Sequence, residues 1–255
     1  MFFFPLCNLR CPWCHNRDLV LGLERELISI EQGLSHLKKR VSVLGGVVLS
    51  GGEPCLWDEL PEIISEIKKI KDGNNRTLAV KLDTNGMFPD MLKTLFSRGD
   101  TRPDYIALDL KIAPSRYIEL LPGSLKGEAP GSAFESPGDA LIRSASILRD
   151  SGITHEYRTL ALPPPFTEPE QKPPLNGPCA ARYSDFITKK DIEALSPLAM
   201  DNAPWYFRPF RGGNCLDPAW DSLEENAEEA AARAEKLAET ARMLGKNGIY
   251  VSRPS

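Results

Sequence analysis

Two rhythms alternate along this chain. Short, uncharged apolar runs are separated by longer stretches in which apolar residues recur every three or four positions. Phe2 to Leu6 reads as a short buried strand, and Gly46-Val47-Val48-Leu49-Ser50 as a second, β-branched and covered on both faces. Thr77 to Leu82, Asp104 to Leu108, Ile153 to Leu160 and Trp205-Tyr206-Phe207 continue the series as strands three to six. The intervening segments carry helix signals. Ser29-Ile30-Glu31-Gln32 matches a capping box, with Leu34, Leu37, Lys38 and Val41 behind it. Leu60 to Lys71 sets Ile63, Ile64, Ile67 and Ile70 on one side and tolerates Pro61 in its first turn. Pro89 to Arg98 and Asp139 to Asp150 are further helices, and Thr188-Lys189-Lys190-Asp191 opens another. Ser222-Leu223-Glu224-Glu225 is a second capping box, predicted to start a helix over 222–244 that ends at Gly245. Ile249-Tyr250-Val251 reads as a last edge strand.

Six β-α units in strict alternation predict an α/β fold with a parallel sheet wrapped by helices. Alternation alone does not separate an open barrel from a doubly wound sheet. Two irregular inserts interrupt the rhythm, at about 122–137 (rich in Gly, Pro and Ser) and at about 163–178, with seven prolines. The β-α pattern resumes after each, so the chain reads as one domain over 1–255.

Composition narrows the class. A net charge of −4 with 26% charged residues gives no basic surface for nucleic acid. The opening Met1-Phe2-Phe3-Phe4-Pro5-Leu6 has no cationic lead and is too short for an export signal. No apolar run approaches the ~20 residues that span a bilayer. The six cysteines are therefore expected in a reducing compartment, the cytoplasm, where metal binding outweighs disulfide formation.

The chemistry starts in the loop after the first strand. Cys7, Cys11 and Cys14 have C-x3-C-x2-C spacing, with Trp13 just before the last. Structural zinc and electron-transfer clusters both want four protein ligands. Three thiolates on a 4Fe-4S cube leave one iron without a cysteine, and an open iron is a reaction centre. The bland alternative, three thiols buried in a core, fits poorly beside Asn8 and Pro12, which break any helical face. Strand-end positions carry the other unusual residues: Ser50-Gly51-Gly52-Glu53-Pro54, Asp83-Thr84-Asn85-Gly86, Asp109-Leu110-Lys111 and Arg158. In parallel α/β folds these ends share one mouth. The glycine pair lets backbone approach a ligand, with a carboxylate beside it to accept from an ammonium group. Asp83 and Asp109 end neighbouring strands and would repel one another. Either a hard cation between them or Lys111 and Arg158 removes that repulsion, and a plain salt bridge at the rim is the simpler role for Arg158. His15 could be taken as a fourth ligand but would close the open position. His36 reads as solvated and His155 as pointing to the surface. Cys55, Cys179 and Cys215 lack metal spacing with one another.

The C-x3-C-x-aromatic-C stretch followed by His15-Asn16 resembles the cluster loop of the radical S-adenosylmethionine (radical SAM) enzymes. Among them it is most similar to the activating enzymes of glycyl radical enzymes, and above all to those of anaerobic ribonucleoside-triphosphate reductase. The resemblance implies an open (β/α)6 partial TIM barrel with Cys7, Cys11 and Cys14 on a 4Fe-4S cluster. It implies that Trp13, Gly51, Gly52, Glu53 and Asn85 border S-adenosylmethionine, with Gly51, Gly52 and Glu53 at its amino group. Asp83, Thr84 and Asp109 would hold a monovalent cation beside its carboxylate, with Lys111 and Arg158 facing the cosubstrate or an incoming peptide. The implied partners are a glycyl radical enzyme as substrate and a flavodoxin- or ferredoxin-type reductant. A radical SAM enzyme acting on a small molecule and a zinc-binding scaffold are the rival readings. The chain departs from the resemblance in beginning almost on its first strand, in the length of its inserts and in lacking an accessory cysteine-rich segment.

Overall fold

The computed structural model describes residues 1–123, 136–163, 187–221 and 226–252. Among these residues seven strands form one sheet: β1 (Phe2–Phe4), β2 (Gly46–Gly51), β3 (Ala79–Thr84), β4 (Tyr105–Asp109), β5 (Thr154–Ala161), β6 (Pro204–Pro209) and β7 (Asn247–Tyr250). Every neighbouring pair is parallel, and the spatial order is the chain order, β1 to β7. A doubly wound sheet reverses its order at a switch point; this one never does. β1 and β7 end the sheet without meeting each other, so it is the open, partial barrel expected, with a seventh strand after six β-α units.

The helices are α1 (Arg17–Leu21), α2 (Ile30–Arg40), α3 (Leu60–Lys68), α4 (Pro89–Ser97), α5 (Pro137–Ser151), α6 (Lys189–Leu195) and α7 (Ala227–Met243). Ser29 caps α2 as predicted: its side chain accepts from Gln32 N, and the Gln32 side chain accepts from Ser29 N. α6 begins with a second such box, formed by Thr188 and Asp191. The box predicted at 222–225 lies outside the described residues, as do most of the two inserts and Cys179. Asn226 caps the described start of α7, accepting from Glu228 N.

Leu49, Leu82, Ile106 and Leu108 are fully covered, and one buried cluster runs from Leu9 to Ala241. The opposite face of the sheet is polar. Its residues include Ser50, Lys81, Asp83, Tyr105, Asp109, Glu156, Arg158, Tyr206 and Arg208, at alternate positions of their strands. Phe3, paired with Ser50 on the edge strand, is 50% exposed, consistent with an uncovered barrel edge. Among the described residues no helix is long and apolar enough to cross a membrane.

Candidate active site

The loop that follows β1 is held by several elements at once. Leu6 takes a positive φ of 66° to turn the chain, and Leu6 N donates to Leu19 O at 2.7 Å. Beyond β2, Gly52 N donates to Phe4 O at 2.8 Å and Glu53 N to Leu6 O at 2.9 Å, extending the strand pairing into the cysteine loop. These contacts give the glycine pair a packing reason of its own. A Cβ on Gly52 would lie 1.8 Å from Leu6 O, and one on Gly51, at φ 122°, would lie 2.3 Å from Phe4 N. The first strand and the turn after it therefore require both residues to lack side chains, and both also line the site cavity. Farther along, Arg10 N donates to Leu120 O at 2.7 Å, and Asp217 N to Pro12 O at 2.9 Å. Trp13 packs against Trp220 with ring centroids 5.5 Å apart.

A cavity of about 410 Å³ opens above the sheet, and every residue predicted for the site lines it. Cys7, Cys11, Cys14 and Trp13 line it from the loop after β1, Gly51, Gly52 and Glu53 from the end of β2, and Asp83, Thr84, Asn85, Asp109, Lys111 and Arg158 from β3, β4 and β5 and the turns that follow them. Burial pushes the Cys7 thiol up to about 11 and raises Cys11 and Cys14 as well, while the Lys111 ammonium opposes that rise at all three. Leu9 N at 3.4 Å and Asn85 Nδ2 at 3.7 Å donate to Cys7 Sγ. Among the described residues no three His, Cys, Asp or Glu side chains converge on one metal ion. A cube takes each cysteine on a different iron, so three thiols that line one cavity without converging on a single point suit a cluster better than a zinc ion.

Glu53, which lines the cavity, is also braced from within the protein. Its Oε1 accepts from Thr84 Oγ1 at 2.8 Å and from Cys55 N at 3.0 Å, and its Oε2 from Asn85 N at 2.7 Å. Three of a carboxylate's four acceptor sites are thereby used inside the protein, tying the end of β2 to the end of β3. Burial raises its pKa, and the three donors oppose that rise. Asn85 continues the brace by donating to Asn8 Oδ1 at 2.9 Å.

Asp83 and Asp109 do face one charge, and it is Arg158. Its Nη1 lies 3.1 Å from Asp83 Oδ2 and its Nε 2.9 Å from Asp109 Oδ1, while Lys111 Nζ lies 3.0 Å from Asp109 Oδ2. Of the two ways to relieve the repulsion, the structure shows the arginine. Burial pushes the Asp109 carboxyl up, but Arg158 and Lys111 outweigh it and hold the pKa at about 2, against an ordinary 3.8. A folded value below the unfolded one stabilises the fold above the unfolded pKa and ceases to do so as pH falls through about 2. The contribution is about 2 kcal/mol. Urea midpoints of the wild type and Asp109→Asn are therefore expected to differ at pH 6 and to converge as the pH is lowered toward 2.5.

Residues that sequence reasoning passed over include Lys81, Tyr105, Glu156 and Arg208, all on the polar face; Arg208 also lines the cavity. The signal was a charge within otherwise apolar strands, since lone charges are rarely buried without a partner. His155 corrects an expectation. It is 8% exposed, on the helix side of β5, with Nδ1 2.7 Å from Ile153 O and Nε2 3.1 Å from Tyr157 Oη. His15 stays out of the thiol set, with Nε2 2.7 Å from Arg211 O, and His36 is exposed as expected. Cys55 and Cys215 are buried.

A family model described as the Radical SAM superfamily matches residues 1–166. The chain belongs to the radical SAM superfamily. Membership implies a 4Fe-4S cluster and S-adenosylmethionine. The chain is 26% identical over 163 residues to a protein of Methanocaldococcus jannaschii with the provisional name glycyl-radical enzyme activating enzyme, covering 64% of this chain and 61% of that protein. It is 27% identical over 251 residues to the pyruvate formate-lyase-activating enzyme of Listeria monocytogenes, covering 93% of this chain and 88% of that one. Likeness to the GTP 3′,8-cyclase of Clostridium acetobutylicum is shorter: 35% over 105 residues, or 40% of this chain and 31% of the cyclase. Among solved structures, SuiB of Streptococcus suis matches with a TM-score of 0.60 at 11% identity, over 99% of this chain and 48% of that one, which shows a shared fold.

Proposed function

We propose that this chain is a radical SAM activating enzyme that generates a glycyl radical on a partner protein. One observation carries the reading: three thiols at C-x3-C-x2-C spacing share a cavity with the Asp83-Thr84-Asn85 and Asp109-Leu110-Lys111 segments at the carboxyl ends of an open parallel sheet. The match to the Listeria activating enzyme supports the subfamily because it runs over nearly the whole of both chains. The cyclase match covers well under half of either chain and does not draw the reading toward a nucleotide substrate.

In this reading Cys7, Cys11 and Cys14 hold the cluster. When bound, the cluster would supply one electron and S-adenosylmethionine a carbon–sulfur bond that this electron can cleave. The chain's own residues bind, orient and exclude water. Lys111 and Arg158 offer the cosubstrate carboxylate two cations, and Gly51 and Gly52 provide backbone that no side chain screens. Glu53, from beneath, fixes Thr84 and Asn85. A monovalent cation at Asp83, Thr84 and Asp109 requires Arg158 to withdraw, and it competes with Lys81, 3.9 Å away, for Asp83 Oδ1. The gap between β1 and β7 gives a peptide lateral access, so a glycine α-hydrogen can be brought to the cavity without unfolding the barrel. The chain acts as a single catalytic domain in the cytoplasm, reduced by a flavodoxin- or ferredoxin-type protein. Anaerobic ribonucleoside-triphosphate reductase is the first partner to test.

The test is anaerobic reconstitution with iron and sulfide, reduction, and addition of S-adenosylmethionine with a candidate partner carrying α-deuterated glycine. Deuterium in the 5′-deoxyadenosine and a glycyl radical signal in electron paramagnetic resonance (EPR), both dependent on the partner, are expected. Full cluster loading without any 5′-deoxyadenosine sinks the reading.

A further inference from the structure

Below the cavity, the polar face of the sheet carries a second layer of charge. Lys81 and Asp83 are two positions apart on β3, and Glu156 and Arg158 two apart on β5, so each pair points to the same face. Lys81 Nζ lies 2.9 Å from Glu156 Oε1 and 3.9 Å from Asp83 Oδ1, and sits 5.1 Å from the centroid of the Tyr105 ring. Glu156 is also held from its other oxygen, which accepts from Tyr105 Oη at 3.0 Å. The contacts join into one chain in which carboxylates and cations alternate: Glu156, Lys81, Asp83, Arg158, Asp109, Lys111.

The two ends of this chain are not equally secure. Arg158 is shared by Asp83 and Asp109 and lines the cavity. A carboxylate-bearing cosubstrate entering that cavity competes for the same guanidinium. If Arg158 turns to it, Asp109 still has Lys111 at 3.0 Å. Asp83 has no such reserve; its Oδ1 is buried and without a hydrogen bond. Leaving a buried carboxylate uncompensated is strongly unfavourable. Among the described residues, the one other cation placed against Asp83 is Lys81, whose 3.9 Å separation needs to shorten by about 1 Å to become a charge-assisted hydrogen bond. Glu156 tolerates the loss, because Tyr105 remains bonded to it.

We propose that Lys81 is a positioning residue that takes over Asp83 when Arg158 engages the carboxylate of the bound cosubstrate. The inference rests on the reading of the cavity as the S-adenosylmethionine site. It makes the lower layer part of cosubstrate affinity, although neither Lys81 nor Glu156 lines the cavity. Removing Lys81 means that Arg158 can leave Asp83 only by stranding it. Freeing Lys81 from Glu156 makes the exchange easier.

The experiment measures 5′-deoxyadenosine formation against S-adenosylmethionine concentration in reconstituted wild type, Lys81→Met, Lys81→Arg, Glu156→Gln and the double variant Lys81→Met/Glu156→Gln, with thermal midpoints alongside. Lys81→Met is expected to raise KM about tenfold, more than it lowers kcat, the pattern of lost ligand binding. Lys81→Arg is expected to return KM to within about threefold of the wild type, and Glu156→Gln to leave KM equal or lower. The double variant separates position from charge balance. It removes one charge of each sign, so it should regain thermal stability but keep the raised KM. A double variant that restores KM overturns the proposal in favour of simple charge balance. An active wild type with an unchanged KM in Lys81→Met overturns the proposal alone. A wild type that releases no 5′-deoxyadenosine overturns the functional reading and takes this proposal with it.

Discussion

Cys11→Ala is expected to lose its iron–sulfur absorbance and to release 5′-deoxyadenosine at least about 1,000-fold more slowly than the wild type. Cys11 is the most deeply buried of the three thiols that line the cavity. A cube held by only three cysteines would have no spare protein ligand, and His15, next in sequence to Cys14, is bonded to Arg211 O at 2.7 Å. Cys215→Ala is the matched comparison. It too deletes a buried thiol, but one outside the motif and the cavity lining. It should keep both the brown colour and the cleavage activity. Anaerobic iron and sulfide analysis with product assay reads both variants. Equal loss in the two would mean that the C-x3-C-x2-C spacing has no special role.

Gly52→Ala is the second large effect. The added Cβ would lie 1.8 Å from Leu6 O and 2.6 Å from Leu6 C, both backbone atoms, so no side-chain movement relieves the clash. Either the cysteine loop or the end of β2 must move, breaking the Gly52–Phe4 and Glu53–Leu6 hydrogen bonds. A cost of about 3–5 kcal/mol is expected, in the range of severe core substitutions. Denaturant unfolding of the iron-free protein measures it without reference to the cluster. Gly73→Ala, where a Cβ meets nothing within 4 Å, should stay within about 0.5 kcal/mol of the wild type. A fully stable Gly52→Ala would show that the two segments are not packed as described.

Much of this was legible in the sequence, for identifiable reasons. Strand-end chemistry is local: Asp83-Thr84-Asn85 and Asp109-Leu110-Lys111 follow recognisable apolar runs, and a parallel sheet brings all such ends together. What the sequence concealed is set between strands. Whether a cation or an arginine answers Asp83 and Asp109 depends on the β4–β5 register, which pairs Asp109 with Arg158. That Glu53 ties β2 to β3 was hidden because its donors, Thr84 and Asn85, lie about thirty residues away. His155 looked exposed because a histidine–glutamate pair reads as surface. In β5, however, adjacent residues face opposite sides, and each finds its own partner, Tyr157 for His155 and Lys81 for Glu156. The short α1, with five residues, carried too little periodicity to be seen.

The cysteine loop is fastened by backbone bonds from Leu6 to Leu19 and Glu53, from Arg10 to Leu120 and from Pro12 to Asp217, together with the Asn8–Asn85 side-chain pair. None of these bonds uses a sulfur atom. Metal-dependent miniature folds collapse when chelated because the ion is their core. The ties named here run through main-chain and amide atoms, so deleting any one thiol removes none of them and a Cys→Ala variant tests ligation apart from anchorage.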